Sequence, residues 1–394
     1  MSSLRIVLLM IEAPIPFGNA ASRWFYVLLR ELVARGHRVT AFAACTKVEE
    51  IEMARKLFPS PDWDLRLYPP RTYRGLASKF GTVLKPYSYM FSRDLRKDLE
   101  KTLVEGYDIF HLEQIWSGWL GLSRPRTVLN ALNLYRIDLK DAPIQGSGDW
   151  LRRKLLLAAE KRLTGSYPNL ITLSDRLRDA LHGLHQNANI YVVPLGIDYS
   201  LYPYIEDTRR AKEPVVSVIG NMKWQPTYSA TVRLVRRLWP EIKRRTPTAR
   251  LQIVGWGART ALKDYINLPD LIVAENVLDT RPYFEQASLL LYAPPLGSGM
   301  KVKILESFAY GVPVVTNSEG VEGLPVVDGL HAGVCQDDEG LIDRAVNLLN
   351  DREAQNRQRA AARDLLVSHC GPGPTVDAVE RVYSNILKLP GVKS

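Results

Sequence analysis

Short apolar runs alternate along the chain with stretches whose apolar residues recur every three or four positions. LRIVLLMI (residues 4–11) is a continuous apolar run, which suits a strand buried on both faces. Ala20–Arg35 then has helical spacing at Trp24, Val27, Leu28 and Leu32, and Gly36 stands where a helix-ending glycine belongs. RVTAFAA (38–44), YDIFHLE (107–113), RTVLNAL (126–132), NLITLS (169–174) and IYVVPLG (190–196) predict further strands. A long amphipathic helix is expected near Trp150–Thr164.

The alternation restarts after the proline- and charge-rich stretch 202–214. VVSVIGN (215–221), RLQIVG (250–255), DLIVAEN (270–276), ASLLLYA (287–293) and VPVVT (312–316) predict strands, with a helix over Ser229–Arg245. Strand, helix, strand with short connections is the pattern of a parallel sheet covered by helices. The expected fold is therefore α/β, with two Rossmann-like doubly wound domains facing a cleft. The boundaries predicted are a first domain 1–198, a linker 199–213, a second domain 214–372 and a C-terminal helical segment 373–394. In such sheets ligands bind outside the carboxyl ends of the strands, so residues that follow strands matter most.

GSGMKVKILESFAYGVPVV (297–315) is the most informative of these places. At 100° per residue, Met300, Val302, Ile304, Leu305, Phe308 and Ala309 form an apolar face, and Lys303, Glu306, Ser307 and Tyr310 take the other side. Lys301 falls in the apolar arc and is assigned to the preceding turn. Cations near a helix N-terminus oppose the macrodipole by about 0.3–1 kcal/mol each. A phosphate on the free amides of Ser298 and Gly299 removes that objection, and Glu306 is spaced to accept from a ribose diol. On spacing alone, that reading stands level with a plain surface Lys303–Glu306 pair.

Composition adds limits. The 394 residues, 46% hydrophobic and 24% charged, suit two globular domains. No apolar run approaches the length of a membrane span. Cys45, Cys335 and Cys370 are few and scattered, which supports neither a disulfide framework nor a zinc site and suits a reducing cytoplasm. The net charge of +10 is lopsided: +8 falls in residues 1–200. It is densest in Pro69–Lys97, where Arg71, Arg74, Lys79, Lys85, Arg93, Arg96 and Lys97 meet one acid, Asp94, and interleave with five aromatic residues. That mixture suits an anionic membrane surface, and so a cytoplasmic protein peripheral to the inner face of the cell membrane. No nucleic-acid-binding module accompanies it. His182 and His185 form an HxxH on an expected helix, without a third metal ligand.

RPYFEQASLLLYAPPLGSGMKVKILESFAYGVPVVTNSEGVEGL (281–324) resembles the donor-binding core of GT-B glycosyltransferases of family 4. PIPFGNAASR, ELVARGHRVT, YVVPLGID, VVSVIGN and RLQIVGWG extend the resemblance over nearly the whole chain. The resemblance implies a metal-independent retaining transfer of a sugar from a nucleoside diphosphate sugar, UDP or GDP, to a hydroxyl of a glycolipid or polysaccharide, with no cofactor. It implies that Glu306 binds the ribose, that Lys303 and the Ser298 and Gly299 amides face the diphosphate, and that Gly18, Lys223 and Gly255 line the donor site. His111, which follows an apolar strand, is expected to reach the donor sugar. Glu113, Gln114, Asn130 and Asn133 are acceptor-side candidates. Many members carry a glutamate eight positions before the ribose-binding one; here Ser298 stands there. Front-face attack suits a chain in which no close pair of carboxylates can be argued.

Three rivals follow from particular residues. Asp62-Trp63-Asp64 has the letters of a metal-dependent transferase motif but lies in the turn-like FPSPDWD. Gly255-Trp256-Gly257 with Glu275 twenty residues on resembles a dinucleotide site lacking its third glycine, since Thr260 stands there. Ser298 itself leaves room for a catalytically inactive nucleotide-sugar-binding protein.

Overall fold

The computed structural model describes residues 2–70, 84–140, 143–144, 146–210, 213–265, 268–277, 279–299 and 301–388. The chain divides into two compact units. The first comprises residues 1–196, 298–300 and 372–394, and the second residues 197–297 and 301–371. Part of the basic run Pro69–Lys97 lies outside the described residues, since Arg71, Tyr73, Arg74, Lys79 and Phe80 fall in the gap.

The first unit is built on a parallel sheet of seven strands: β1 (Arg5–Met10), β2 (Arg38–Ala44), β3 (Asp64–Tyr68), β4 (Ile109–Glu113), β5 (Thr127–Ala131), β6 (Asn169–Thr172) and β7 (Asn189–Val192). Their order is β3-β2-β1-β4-β5-β6-β7. The order in which strands are added reverses between β1 and β4, which pair in parallel, Ile6 with Ile109 and Leu8 with His111. The second unit repeats the plan with β8 (Val215–Ile219), β9 (Arg250–Gly255), β10 (Leu271–Glu275), β11 (Leu289–Tyr292), β12 (Val314–Thr316) and β13 (Gly333–Val334), ordered β10-β9-β8-β11-β12-β13. Both are doubly wound sheets, as the alternation predicts. Central strands such as β1 and β11 are apolar and buried, as strands covered on both faces are, while β4 buries His111 and Glu113 among apolar neighbours.

Four local expectations need correction. β3 follows the turn-like FPSPDWD and shares only Asp64 with it: DLRLY pairs with β2 from Thr40–Asp64 to Ala44–Tyr68, and its polar residues are tolerated at a sheet edge. β13, at two residues, is too short to leave a periodic signal. The helix expected at Ser229 starts at Gln225 with Pro226 in its first turn. It runs on through a wide π turn, Leu234–Leu238, to Trp239–Arg245, and the turn widens just before Pro240, whose nitrogen can donate no helical bond. His182 ends the helix Asp175–His182, so His185 lies past it and meets Thr164 Oγ1 at 2.8 Å; the two histidines do not share a helix face.

In the first unit the C-terminal helix Pro372–Lys388 lies on Ala20–Ala34. Arg35 bridges Asp377 and Glu380 at 2.6 Å each, and His37 Nε2 meets Glu380 Oε1 at 2.8 Å. Among the described residues, no helix is long and apolar enough to cross a membrane.

Candidate donor site and the polar centre of the first unit

In the second unit, the chemistry gathers at the carboxyl ends of β8 and β11, the switch point of the sheet. The helix Val302–Tyr310 begins there with Lys301 as its N-cap and no side-chain cap bond, and it ends on Gly311 in the left-handed region at φ 73°. Val302, Ile304, Leu305 and Phe308 hold it in the core. Lys303 is thereby carried inward. Its Nζ donates to Thr227 Oγ1 at 2.7 Å and sits 3.9 Å from the centre of the Tyr292 ring. Part of the side chain reaches the surface, but the ammonium end is desolvated. Burial, with Lys301 nearby, pushes its pKa down to about 7, against a smaller upward pull from Glu306. A plain surface ion pair is thus excluded for Lys303. Glu306 follows one turn later and is largely buried.

The turn after β8 approaches the same ammonium. A Cβ on Gly220 would lie 3.0 Å from Lys303 Nζ. Gly255, at φ 140°, ends β9 so close to that turn that a Cβ would stand 1.9 Å from Gly220 O. Only glycine fits there. Met222 N–H then donates to Trp256 O at 2.9 Å, and Lys223 Nζ stands 5.2 Å over the exposed Trp256 ring. Lys303, Glu306, Gly255 and Lys223 therefore belong to one neighbourhood of the second unit. Thr227 and Tyr292 complete it. Their place in helical and apolar stretches gave no separate signal, because only the fold brings them to Lys303. Glu275 accepts from the Arg259 N–H at 3.0 Å and so helps fix the turn after β9.

In the first unit, His111, Glu113 and Asn130 meet at the ends of β4 and β5 with no exposed surface. Glu113 Oε1 accepts from Trp24 Nε1 at 2.9 Å and Oε2 from Asn130 Nδ2 at 3.0 Å. His111 Nδ1 meets Tyr383 Oη at 2.6 Å. Its Nε2 lies 3.2 Å from Glu113 Oε1, close in distance but outside hydrogen-bond alignment. Burial pushes the His111 pKa down to about 3 and the Glu113 pKa up to about 8, so both are held neutral at neutral pH. His111, expected to reach a sugar, and Glu113 and Asn130, expected to face an acceptor, form a buried polar centre in this structure. Trp24 and Tyr383, which close it, looked like ordinary core residues in the sequence.

The remaining candidates of this unit lie apart from that centre. Gly18 O accepts from Arg23 Nε at 2.9 Å, and a Cβ there would stand 2.7 Å from Ser22 Cβ. Gln114 has φ 67°, and its carbonyl accepts from Ser117 N at 3.1 Å. Ser298 belongs to this unit, where its N–H and Oγ donate to Asp138 Oδ1 at 2.7 and 2.8 Å and its Oγ accepts from Leu134 N at 2.9 Å. Asn133 Nδ2 donates to Asp138 Oδ2 at 3.3 Å, so Asp138 joins Ser298 to Asn133. Asp138 lies 160 residues from Ser298, and no sequence spacing announces the contact. A Cβ on Gly299 would meet nothing within 4 Å. Among the described residues, no three His, Cys, Asp or Glu side chains gather as a metal-binding group.

Comparison with known proteins supplies the family. A profile described as Glycosyltransferase Family 4 matches residues 21–201, and one described as Glycosyl transferases group 1 matches residues 213–351. No curated protein sequence matches the chain. Among solved structures, sucrose-phosphate synthase from Thermosynechococcus elongatus superposes with a TM-score of 0.71 at 16% identity, covering 98% of this chain and 100% of that one. A glycosyltransferase from Rickettsia africae gives 0.67 at 12% identity, with 99% and 100% covered. HepE from Anabaena, solved in complex with UDP-glucose, gives 0.67 at 13% identity, with 98% and 100% covered. At such identities the structural likeness speaks for the fold, while the two profiles speak for the family. The protein is a glycosyltransferase of the group 1 and family 4 type, built on the GT-B fold.

Proposed function

We propose that the protein transfers a sugar from a nucleoside diphosphate sugar, UDP or GDP, to a hydroxyl of a glycolipid or polysaccharide, with retention and without a metal ion. The observation that supports this most is the desolvated Lys303 ammonium at the carboxyl ends of β8 and β11, with Glu306 one turn further on. A diphosphate leaving group gains charge as the glycosidic bond breaks. A cation in a low-dielectric setting stabilises that charge more than one in water. Lys303 takes this role in our reading. Glu306 accepts from the ribose hydroxyls, and Lys223 and Gly255 flank the nucleotide. HepE, solved with UDP-glucose, makes a uridine donor the first to test. The acceptor attacks from the face the diphosphate leaves, and the departing phosphate takes its proton.

The protein works at a cytoplasmic membrane face in this reading, with the basic first half toward anionic lipid through Pro69–Lys97. The decisive assay supplies UDP- and GDP-sugars with a hydroxyl acceptor and reads the anomeric configuration of the product by NMR. A product of retained configuration, formed equally with a chelator present, is expected. An inverted product, or activity lost in the chelator, overturns the corresponding part of the reading.

A further inference from the structure

The helix Gly146–Gly165 has an apolar face too many. Leu156, Ala159 and Leu163 point into the first unit and are buried. An ordinary surface helix would be polar on the opposite side. Here the opposite side exposes Trp150 and Leu151, 46% and 52% accessible, and continues through Lys154, Ala158, Lys161 and Arg162, all exposed. At 100° per residue these six lie within an arc of about 120°. The helix has two acids, and both lie about 80–100° outside that arc. Glu160 is buried and accepts from the Tyr135 and Arg136 N–H groups, and Asp149 pairs with Arg152 and Arg153. The outward stripe therefore holds three cations and no carboxylate.

Its geometry is that of an interfacial surface. Lys154 Nζ sits 3.9 Å over the Trp150 ring, so the cation and the aromatic plane are presented together. Arg162 lies 5.8 Å over Trp119, whose ring also meets Lys85 at 5.9 Å, which extends the positive stripe past the end of the helix. At the other end, Arg153 Nη2 donates to Pro143 O at 2.5 Å and holds the segment carrying Ile144, itself 58% exposed, against the helix. Exposed Trp and Leu flanked by Lys and Arg match the boundary between lipid headgroups and acyl chains.

We propose that this face of Gly146–Gly165 docks on an anionic lipid surface, with Trp150 and Leu151 entering the headgroup layer and Lys154, Lys161 and Arg162 meeting lipid phosphates. This deepens the membrane part of the proposed function and rests on it, but it names a different surface from Pro69–Lys97. Charge decides the occupant. A second copy would set three cations against the same three across a two-fold contact, whereas an anionic bilayer complements them.

The test is co-sedimentation of the full chain with vesicles of phosphatidylcholine alone or with about 30% phosphatidylglycerol, a composition chosen to set an anionic surface potential. Wild type is expected to bind the anionic vesicles, weakly in high salt, with a blue shift of tryptophan fluorescence that Trp150→Phe reduces. Lys154→Glu/Lys161→Glu should lower binding at least tenfold, since each cation near such a surface is worth roughly a fivefold gain. Trp150→Ala/Leu151→Ala should weaken it without changing its salt dependence. An unchanged melting temperature and UDP response in both variants shows that the fold and the donor site survive. Wild-type binding that both variants retain overturns the assignment. So does dimerisation by light scattering that Trp150→Ala/Leu151→Ala abolishes. Absence of wild-type binding alongside an intact UDP response overturns the docking proposal and leaves the donor reading standing.

Discussion

The ends of β4 and β5 in the first unit and of β8 and β11 in the second lie at or next to the switch points of two sheets wound in the same order. Both collect polar residues, and they treat them in opposite ways. In the first, His111, Glu113 and Asn130 are closed over by Trp24 and Tyr383 and left neutral by burial. In the second, Lys303 is desolvated at its tip but only partly covered, beside glycine turns that admit no side chain. Topology puts polar groups at a switch point; what packs above them decides whether they become core or binding seat.

The largest effect that would sharpen this contrast is on transfer. Lys303→Ala is expected to lower kcat/KM by about 10²–10³, the range for removing one preorganised charge-stabilising donor, while global stability changes little. A variant that keeps full transfer would erase the distinction between the two sites. Glu113→Ala should behave in the opposite sense. It strands the buried Trp24 and Asn130 donors, so denaturant unfolding should report a loss of about 2–6 kcal/mol, at roughly 1–3 per stranded group. Little loss of stability with abolished transfer would instead return Glu113 to the reaction.

A smaller effect lies in the pH dependence of stability. Glu113 rises by burial from 4.5 to about 8, so between those values the folded state binds the extra proton and stability falls as pH rises. His111 drops by burial from 6.5 to about 3, so the unfolded state binds the extra proton there and stability rises with pH between about 3 and 6.5. The two oppose each other between 4.5 and 6.5. A net fall is expected from pH 6.5 to 8, at most about 1.4 kcal/mol per pH unit. Glu113→Gln should flatten it in urea titrations across that range. For the second unit, a Lys303 pKa of about 7 means that anion binding above pH 7 takes up a proton. UDP affinity should therefore fall above pH 7, by at most about tenfold per unit. Calorimetry in buffers of different ionisation enthalpy would read the proton directly, and equal heats after correction would contradict it.

The sheets were legible because buried parallel strands are continuous apolar runs, and each stands clear of its neighbours in the sequence. β3 escaped because an edge strand can afford Asp64 and Arg66, and β13 because two residues make no period. At the site, the helix start at Lys301 followed from the helical wheel, which set Lys303 opposite the apolar face; the inward place of its ammonium, beside Thr227 and Tyr292, did not follow from it. The sealing of His111 did not, since it depends on Tyr383, 272 residues away, and on Trp24. Contacts of that range leave no trace in local spacing. Asp138 and Ser298 are another such pair.

The central claim is that the second unit's Lys303 and Glu306 seat a nucleoside diphosphate. Thermal-shift titration with UDP, GDP, dTDP and ADP tests it most directly, with Glu306→Ala and Lys303→Ala as controls. The account predicts stabilisation of the wild type by UDP or GDP, reduced at least tenfold in apparent affinity in both variants. A nucleotide that stabilises wild type and both variants alike would contradict it.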